Sequence, residues 1–332
     1  MRPVKPWFFR LILSLWLCGL MGSAQAQHFI DLQGHRGARG LLPENTLAGF
    51  ELAARLGVTT LELDVLVTQD HELVIHHDPA LNPDITRDAQ GRFLSATGPV
   101  IRSLRWQDLQ AYDVGRIQPG TRYARTFAQQ APQDGARIPR LRDLFERMQQ
   151  LGYKQLRYAI ETKITPHQPQ QTPHPETFAR QLLALIDEYG LRERVQILSF
   201  DWRTLQAVQQ LRPGMPTVYL TAQLPVLDNL KAQAGEASPW TAGFVPSQYP
   251  SVPHMIRAAG GSHWSSFWRE LDAARVRQAQ ALGLKVLAWT VNDRDTMARM
   301  LDLGVDGLVT DRPDLAVELL RERGLRWQSE GP

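Results

Sequence analysis

Three acidic residues lie in two apolar segments, each of which is predicted to be a strand with charged side chains on one face. Thr59–Val67 reads Thr-Thr-Leu-Glu-Leu-Asp-Val-Leu-Val, and a second such segment carries Glu161 two residues before Lys163. Side chains alternate along a strand, so Glu62 and Asp64 point the same way, as do Glu161 and Lys163. Carboxylates buried together repel each other unless a cation or a proton compensates. The pattern indicates a cation site, with a buried ion pair between Glu161 and Lys163 as the alternative.

Two histidine clusters follow predicted strands. Gly34, His35 and Arg36 follow the segment Phe29–Gln33, and His77 ends another apolar segment. Two imidazoles can act as general base and general acid, and a guanidinium offers a fork that suits a phosphate or a carboxylate. For a lone histidine a structural role is the usual alternative. His76 is given that role, because alternation turns it away from the face of His77.

The charges of these residues select a class of ligand. Three carboxylates and one divalent cation leave one negative charge, and a phosphodiester adds a second. Arg36 and Lys163 neutralise both, so the site is balanced by a monoanionic ester. Carboxylate ligands favour Ca²⁺ or Mg²⁺ over Zn²⁺, and the single Cys of the chain is Cys18, close to the N-terminus.

The elements that must position these residues alternate between β-rich and amphipathic segments. One helix is predicted at Leu47–Leu56, with Asn45 or Thr46 as its N-cap and Gly57 after its end. Alternation of this kind indicates a parallel sheet. An irregular stretch at about residues 80–137 reads as an insertion, and the length that is left suits one TIM barrel.

The sequence therefore predicts an α/β fold, a (β/α)8 TIM barrel over residues 27–325 with an insertion after the third strand. Gly261–Phe267 is a ninth strand candidate, so one candidate is not a barrel strand, and an open doubly wound sheet is the alternative. The other eight predicted strands are Phe29–Gln33, Thr59–Val67, Leu73–His77, Leu156–Ile164, Val195–Phe200, Thr217–Thr221, Lys285–Val291 and Gly307–Thr310.

Residues 1–26 have the composition of a secretory signal peptide. Three cations precede the apolar run Leu11–Met21, which is too short to span a bilayer and is followed by Ala24-Gln25-Ala26. Because this segment contains no acidic residue, the 37 Lys and Arg against 34 Asp and Glu of the whole chain become an even balance after cleavage. We therefore expect a periplasmic or secreted protein without a lasting membrane anchor, and no binding to nucleic acid.

The order of these motifs is similar to that of a known enzyme family. The sequence resembles the glycerophosphodiester phosphodiesterase family, which shares a barrel with phosphatidylinositol-specific phospholipases C. Each motif alone is weakly specific, but the set in this order is highly specific. Between Gly34 and Pro313 the matching motifs include His35-Arg36-Gly37, Pro43-Glu44-Asn45-Thr46, Glu62-Leu63-Asp64-Val65, His77-Asp78, Glu161-Thr162-Lys163, Trp289-Thr290-Val291-Asn292 and Thr310-Asp311.

The resemblance implies a role for each site residue. Glu62, Asp64 and Glu161 would be the metal ligands, and His35 and His77 the acid–base pair.

The substrate-binding residues implied by the resemblance are cationic, acidic and aromatic. Arg36 and Lys163 would hold phosphate oxygens. Glu44 would contact the metal or the glycerol, or would cap a helix, and Trp289 would wall the substrate site or belong to the core. Asp78 would orient its loop or the neighbouring histidine.

The predicted activity is metal-dependent hydrolysis of glycerophosphodiesters to sn-glycerol 3-phosphate and an alcohol, with Ca²⁺ or Mg²⁺ as cofactor. One alternative is a phospholipase D-like activity on lysophospholipids. A second is a barrel that binds phosphodiesters without turning them over. Which histidine is the acid, and whether water or the 2-hydroxyl of the substrate attacks, are both left open.

Overall fold

Within the described residues, eight parallel strands close into a barrel. The computed structural model describes residues 29–231 and 237–327, so the predicted signal peptide lies outside the described residues. The strands are β1 (Asp31–Gly34), β2 (Thr60–Val67), β3 (Leu73–Ile75), β4 (Arg157–Thr162), β5 (Val195–Ser199), β6 (Thr217–Thr221), β7 (Gln223–Leu224), β8 (Leu227–Asp228), β9 (His263–Phe267), β10 (Lys285–Trp289) and β11 (Gly307–Thr310). Around the barrel the order is β1, β2, β4, β5, β6, β9, β10 and β11, and β11 pairs with β1. The prediction of a TIM barrel is confirmed.

A helix follows each barrel strand, as the alternating sequence pattern predicts. Helix α1 has the predicted bounds: the Thr46 hydroxyl accepts a hydrogen bond from the N–H of Gly49, and Gly57 ends the helix with φ 93°. Across the described residues, we find no helix with the length and apolar character needed to cross a bilayer. The helices are α1 (Leu47–Leu56), α2 (Trp106–Leu109), α3 (Arg122–Thr126), α4 (Leu141–Gln150), α5 (Pro175–Glu188), α6 (Trp202–Leu211), α7 (Val252–Ala258), α8 (Ala273–Ala281), α9 (Arg294–Asp302) and α10 (Pro313–Glu322).

Alternation along β2 sorts its side chains between two layers. Leu61, Leu63 and Val65 are fully buried in the core between the barrel and the helices, whereas Glu62 and Asp64 are buried on the other face. A separate apolar layer inside the barrel consists of Ala159, Leu198, Val218, Leu220, Leu287 and Val309. The barrel interior is therefore filled with side chains and does not form an open pore.

The third predicted strand is the candidate that does not belong to the barrel. β3 pairs antiparallel with the distal half of β2, with Val67 opposite Leu73 and Val65 opposite Ile75. The turn between them places His71 at φ 65°, a left-handed conformation that favours glycine. β2 and β3 thus form a hairpin at the rim of the barrel. β9, which lies in the ninth strand candidate Gly261–Phe267, is one of the eight barrel strands.

Between β3 and α4 the chain forms an insertion with little regular structure. It includes the short helices α2 and α3, and it has a small apolar core built around Leu81, Ile101 and Ile138. The segment docks on the loop after β1, because the N–H of Ala131 donates to the carbonyl of Leu41 (2.8 Å). This position places the insertion beside the carboxyl ends of the barrel strands.

Candidate active site

A cavity of about 230 Å³ lies at the carboxyl ends of the barrel strands. One side is polar and includes His35, Arg36, Glu62, His77, Glu161 and Lys163, and the other is formed by Phe200, Leu220, Leu227 and Trp289. A larger cavity, about 400 Å³, lies between the insertion and helices α1 and α4, but none of the predicted site residues lines it. The chemistry predicted from the sequence is therefore concentrated in the smaller cavity, which we call the cup.

The three predicted metal ligands meet on one side of the cup. Oxygen atoms of Glu62, Asp64 and Glu161, the acidic triad, lie within 4.8 Å of one another, and all three side chains are buried. Strand pairing brings them together, since Asp64 and Glu161 are register partners on β2 and β4. Asn45, in the turn before α1, holds Asp64 in place by donating its Nδ2–H to Asp64 Oδ2 (2.9 Å). Ligands of one cation with bonds of about 2.0–2.6 Å require separations of this order.

The electrostatics of the acidic triad are unbalanced. Burial, together with the charges of Asp64 and Glu161, raises the pKa of Glu62 well above its usual range. Burial alone would raise the pKa of Asp64 as well, but Arg36, His77 and Lys163 hold it well below its usual range. Asp64 Oδ1 is buried and has no hydrogen-bond partner among the described residues. An acceptor without a donor and a carboxyl that resists ionisation both fit a site for a cation.

Two cations border the acidic triad. Lys163 Nζ lies 2.8 Å from Glu161 Oε1, so the alternative ion pair is present beside the triad. Burial alone would lower the pKa of Lys163, but the charges of Glu161 and Asp64 raise it. Arg36 Nε lies 3.1 Å from Asp64 Oδ2. Both cations line the cup, where an anion could reach them.

The buried charges in and around the cup do not balance. Its carboxylates outnumber its cations by two, which is the charge of one divalent cation. The carboxylates are Glu44, Glu62, Asp64, Glu161 and Asp311. The cations are Arg36, Arg39 and Lys163.

The loop after β1 places His35 and Arg36 by a close approach to α1. Gly37 has φ 88°, and a Cβ at this position would lie 2.7 Å from the backbone carbon of Gly49. The backbone N–H of Arg36 donates to Glu62 Oε2 (2.9 Å). A glycine is therefore required for this turn, which carries the histidine and the guanidinium into the cup.

His35 is held by a buried carboxylate, Asp311, for which the sequence motifs predicted no role. Its Nδ1 lies 2.7 Å from Asp311 Oδ1, and its Nε2 faces the acidic triad, 3.9 Å from Glu62 Oε2. Asp311 also accepts hydrogen bonds from Arg39 and Asn292. Burial and Arg39 lower the pKa of His35, although Asp311 opposes the shift. The sequence did contain a signal for this contact, because Asp311 directly follows β11 and closure of the barrel places β11 next to β1, which precedes His35.

His77 has a matching arrangement on the hairpin. Its Nδ1 lies 2.7 Å from Asp78 Oδ1, as the orienting role considered for Asp78 requires. Burial, with the charges of Arg36 and Lys163, lowers the pKa of His77 to about 4. The sequence pattern predicted that His77 lies at the carboxyl end of a barrel strand, and this prediction is wrong. Instead, β3 runs antiparallel to β2 and returns the chain to the level of Asp64. The backbone carbonyl of Asp64 accepts a hydrogen bond from the N–H of His76 (3.0 Å).

Of the two remaining predicted site residues, Glu44 contacts a cation of the cup and Trp289 lines the cup. Glu44 accepts a hydrogen bond from Arg36 Nη1 (2.8 Å) and one from the hydroxyl of Tyr123, which belongs to the insertion. Thr46 supplies the helix cap that was the alternative for Glu44. Trp289 lines the cup and stacks edge-on against Phe200 with ring centroids 5.5 Å apart.

Comparison with known proteins decides the family. Residues 35–315 match the model of the glycerophosphoryl diester phosphodiesterase family. The chain belongs to this family. As a glycerophosphoryl diester phosphodiesterase it is an enzyme of the phosphoric diester hydrolase class, as the sequence predicted.

Relatives of this phosphodiesterase cover nearly its whole length. A glycerophosphodiester phosphodiesterase of Caldanaerobacter subterraneus is 29% identical over 290 residues, which is 87% of this chain and 97% of the relative. The crystal structure of a glycerophosphoryl diester phosphodiesterase homologue from Silicibacter pomeroyi is 32% identical, with a TM-score of 0.80 over 91% of this chain and 96% of that one.

A more distant structure shares the fold. A phosphodiesterase of Oleispira antarctica, solved with the product sn-glycerol 3-phosphate, is 21% identical with a TM-score of 0.63, over 89% of this chain and 97% of that one.

Proposed function

We propose that this phosphodiesterase hydrolyses glycerophosphodiesters such as glycerophosphocholine to sn-glycerol 3-phosphate and an alcohol, with a divalent cation and two histidines as the catalytic groups. The observation that carries the proposal is the acidic triad, with its oxygens within 4.8 Å of one another, beside two imidazoles. The name of the Caldanaerobacter relative supports the substrate class.

Glu62, Asp64 and Glu161 would hold the cation, and their all-oxygen donor set favours Ca²⁺ or Mg²⁺. Such an ion supplies Lewis-acid polarisation of a phosphoryl oxygen and offsets negative charge in the transition state. Arg36 and Lys163 line the same cavity and stabilise the charge on the other phosphoryl oxygens. Their own partners, Glu44 and Glu161, hold them in place before the substrate arrives.

The histidines exchange protons with the attacking and departing oxygens. Each Nδ1 is bound to a carboxylate, Asp311 for His35 and Asp78 for His77, so each Nε2 is the atom that serves the substrate. A neutral imidazole takes the proton of the attacking oxygen, and a protonated one gives a proton to the departing alcoholate. Phosphate binding favours the protonated form of the second imidazole, because it brings negative charge into the cup.

The size of the cup favours a small substrate. At about 230 Å³ it lies below the range of about 300–1,000 Å³ that is usual for drug-sized ligands. A glycerophosphate group suits this volume, whereas the acyl chain of a lysophospholipid has to remain outside it.

An activity panel tests the proposal. Metal-stripped protein is assayed for release of sn-glycerol 3-phosphate from glycerophosphocholine with Ca²⁺, Mg²⁺ or chelator. We expect turnover with an added cation and loss of at least about 100-fold with chelator. Faster cleavage of lysophosphatidylcholine would establish the phospholipase D-like alternative. Binding of glycerophosphocholine without release of product would establish the non-catalytic alternative.

The composition of residues 1–26 supports a periplasmic or secreted location for the mature enzyme. Cell fractionation, followed by N-terminal sequencing of the exported protein, tests this location. We expect a chain that begins at Gln27.

A further inference from the structure

The insertion contacts the loop after β1 through a short segment, residues 122–131, which we call the strap. The ring of Phe127 lies over the guanidinium of Arg39, with 4.5 Å to the ring centroid. Gln130 Nε2 donates a hydrogen bond to the backbone carbonyl of Arg39 (2.7 Å). The strap is therefore fixed on the same loop that carries Arg36 into the cup.

The strap also contacts a buried carboxylate of this loop. The hydroxyl of Tyr123 donates to Glu44 Oε2, and the other oxygen of this carboxylate, Oε1, accepts from Arg36 Nη1 (2.8 Å). Glu44 is buried, and Tyr123 lies outside the cup lining. A single carboxylate thus connects the strap to a guanidinium that faces the cup.

Glu44 lies between two guanidinium groups, so its orientation decides which of them it pairs with. Arg39 Nη1 lies 3.9 Å from Glu44 Oε2, the same oxygen that accepts from Tyr123. Arg39 is fixed at this distance, because its Nε and Nη2 both donate to Asp311 (2.7 and 3.0 Å). Without the tyrosine hydroxyl, the charge of Arg39 would attract Oε2 and turn the carboxylate away from Arg36.

The guanidinium of Arg36 needs Glu44 because another of its contacts is with the acidic triad. Arg36 Nε lies 3.1 Å from Asp64 Oδ2, and a cation bound by the triad would share the charge of Asp64. Glu44 lies outside the triad, so its charge stays available to Arg36. The hydroxyl of Tyr123 is a neutral donor, and it orients this carboxylate without competing for its charge.

We propose that Tyr123 is a positioning residue, which orients Glu44 so that this carboxylate holds Arg36 toward the phosphate of the substrate. The inference rests on the proposed function, because it uses the phosphate contact of Arg36. It gives the irregular insertion a part in phosphate binding, through one hydroxyl group.

Tyr123→Phe, which removes only the hydroxyl, tests this role by binding as well as by turnover. We expect kcat/KM for glycerophosphocholine to fall about 10-fold. The Kd of sn-glycerol 3-phosphate, measured by isothermal titration calorimetry, should rise about 10-fold with an unchanged stoichiometry. The matched control is Gln129→Ala, which removes the contact of the strap with Arg312 and leaves the hydrogen bond of Tyr123 in place. We expect this control to stay within about twofold of wild type in both measurements.

A second background separates positioning from direct contact with the substrate. In Glu44→Ala the acceptor of the tyrosine hydroxyl is gone, so adding Tyr123→Phe is expected to change kcat/KM by less than about twofold. A 10-fold loss that persists in this background would show that the hydroxyl acts on the substrate itself, which overturns the inference. The comparison of Tyr123→Phe with Gln129→Ala does not depend on the folding of Glu44→Ala.

Other results would overturn the inference in distinct ways. A lowered stoichiometry with an unchanged Kd, or an equal loss in Gln129→Ala, would mean that the strap serves only the fold. An active wild type with an equally active Tyr123→Phe would overturn the inference and leave the proposed function standing. If wild type bound sn-glycerol 3-phosphate but released none from glycerophosphocholine, the proposed function would fail, whereas the Kd values would still test Tyr123.

Discussion

Buried carboxylates occur at both ends of the barrel interior, and the chain treats them differently. At the amino end Asp31 accepts hydrogen bonds from Thr60 (2.6 Å), Thr59 (2.8 Å), Gln33 (2.8 Å) and Arg157 (2.8 Å). Burial alone would raise the pKa of Asp31, but Arg157 and these hydrogen bonds lower it. The fold itself supplies everything that this charge needs.

At the carboxyl end the acidic triad is compensated only in part, by Arg36, Asn45 and Lys163. Asp64 Oδ1 is buried without a hydrogen-bond partner among the described residues, and the pKa of Glu62 is raised by burial and by the two neighbouring carboxylates. A carboxylate that its own chain satisfies stabilises the fold, and a cluster that it leaves unsatisfied is suited to an outside cation. The comparison separates a structural end of the barrel from a functional end, as is usual for this fold.

The largest effect is expected for Glu62→Gln. Removal of one of three carboxylates weakens the cation site, so turnover of glycerophosphocholine falls about 10⁴-fold. The melting temperature of the metal-free protein stays the same or rises, because a repelling charge is removed. Activity assays and calorimetry with chelator check both statements. If Glu62→Gln unfolds at a lower temperature than the wild type when both are free of metal, the Glu62 carboxylate stabilises the fold, as that of Asp31 does.

The two histidines are expected to matter nearly as much. His35→Ala and His77→Ala each lower kcat about 10³-fold, because each removes one proton-transfer group. Affinity for Ca²⁺, measured by isothermal titration calorimetry, remains within about threefold, since neither residue belongs to the acidic triad. His174→Ala is the control, because His174 is exposed and lies outside the cup. Loss of Ca²⁺ binding in His35→Ala or His77→Ala would contradict this role and would show that the substituted histidine is a metal ligand.

Asp311 shows that a carboxylate at the functional end can also be fully paired. Asp311→Asn is expected to lower kcat about 100-fold, because His35 loses the partner that orients its ring and stabilises its protonated form. The KM for glycerophosphocholine changes little, since Asp311 does not line the cup. An unchanged pH profile of kcat would contradict this role.

The smallest effect is expected on stability at the amino end. The pKa of Asp31 is lowered below its ordinary value of 3.8, so its contribution to stability is present above that pH and is lost as the pH falls through and below it. Asp31→Asn is expected to lower the free energy of unfolding by about 2 kcal/mol at pH 7 and to leave turnover within about threefold. Urea unfolding between pH 3 and pH 7 checks this. A decline with acid as steep as in wild type would contradict the role of Asp31.

Much of this comparison was available in the sequence. Alternation in Thr60–Val67 fixed which residues face the barrel interior, and the convergence of Glu62, Asp64 and Glu161 follows from the pairing of adjacent parallel strands. The five residues between Val67 and Leu73 also carried a signal that was not used. A parallel crossover needs a dozen or more residues, so this short link required an antiparallel hairpin.

Other contacts depend on closure of the barrel. Asp311 is 276 residues from His35, so their contact can be predicted only from the closure of the barrel, which places β11 next to β1. The hydrogen bond of Tyr123 to Glu44 likewise depends on how an irregular insertion docks, which has no periodic pattern to reveal it.

The central claim is that the acidic triad binds a divalent cation. A crystal grown with Mn²⁺, which carboxylates bind as they bind Mg²⁺, allows the ion to be located from its anomalous scattering. We predict one strong peak about 2.0–2.6 Å from oxygens of Glu62, Asp64 and Glu161. A difference map without a peak there, or with the ion bound elsewhere in an otherwise active enzyme, would contradict the account.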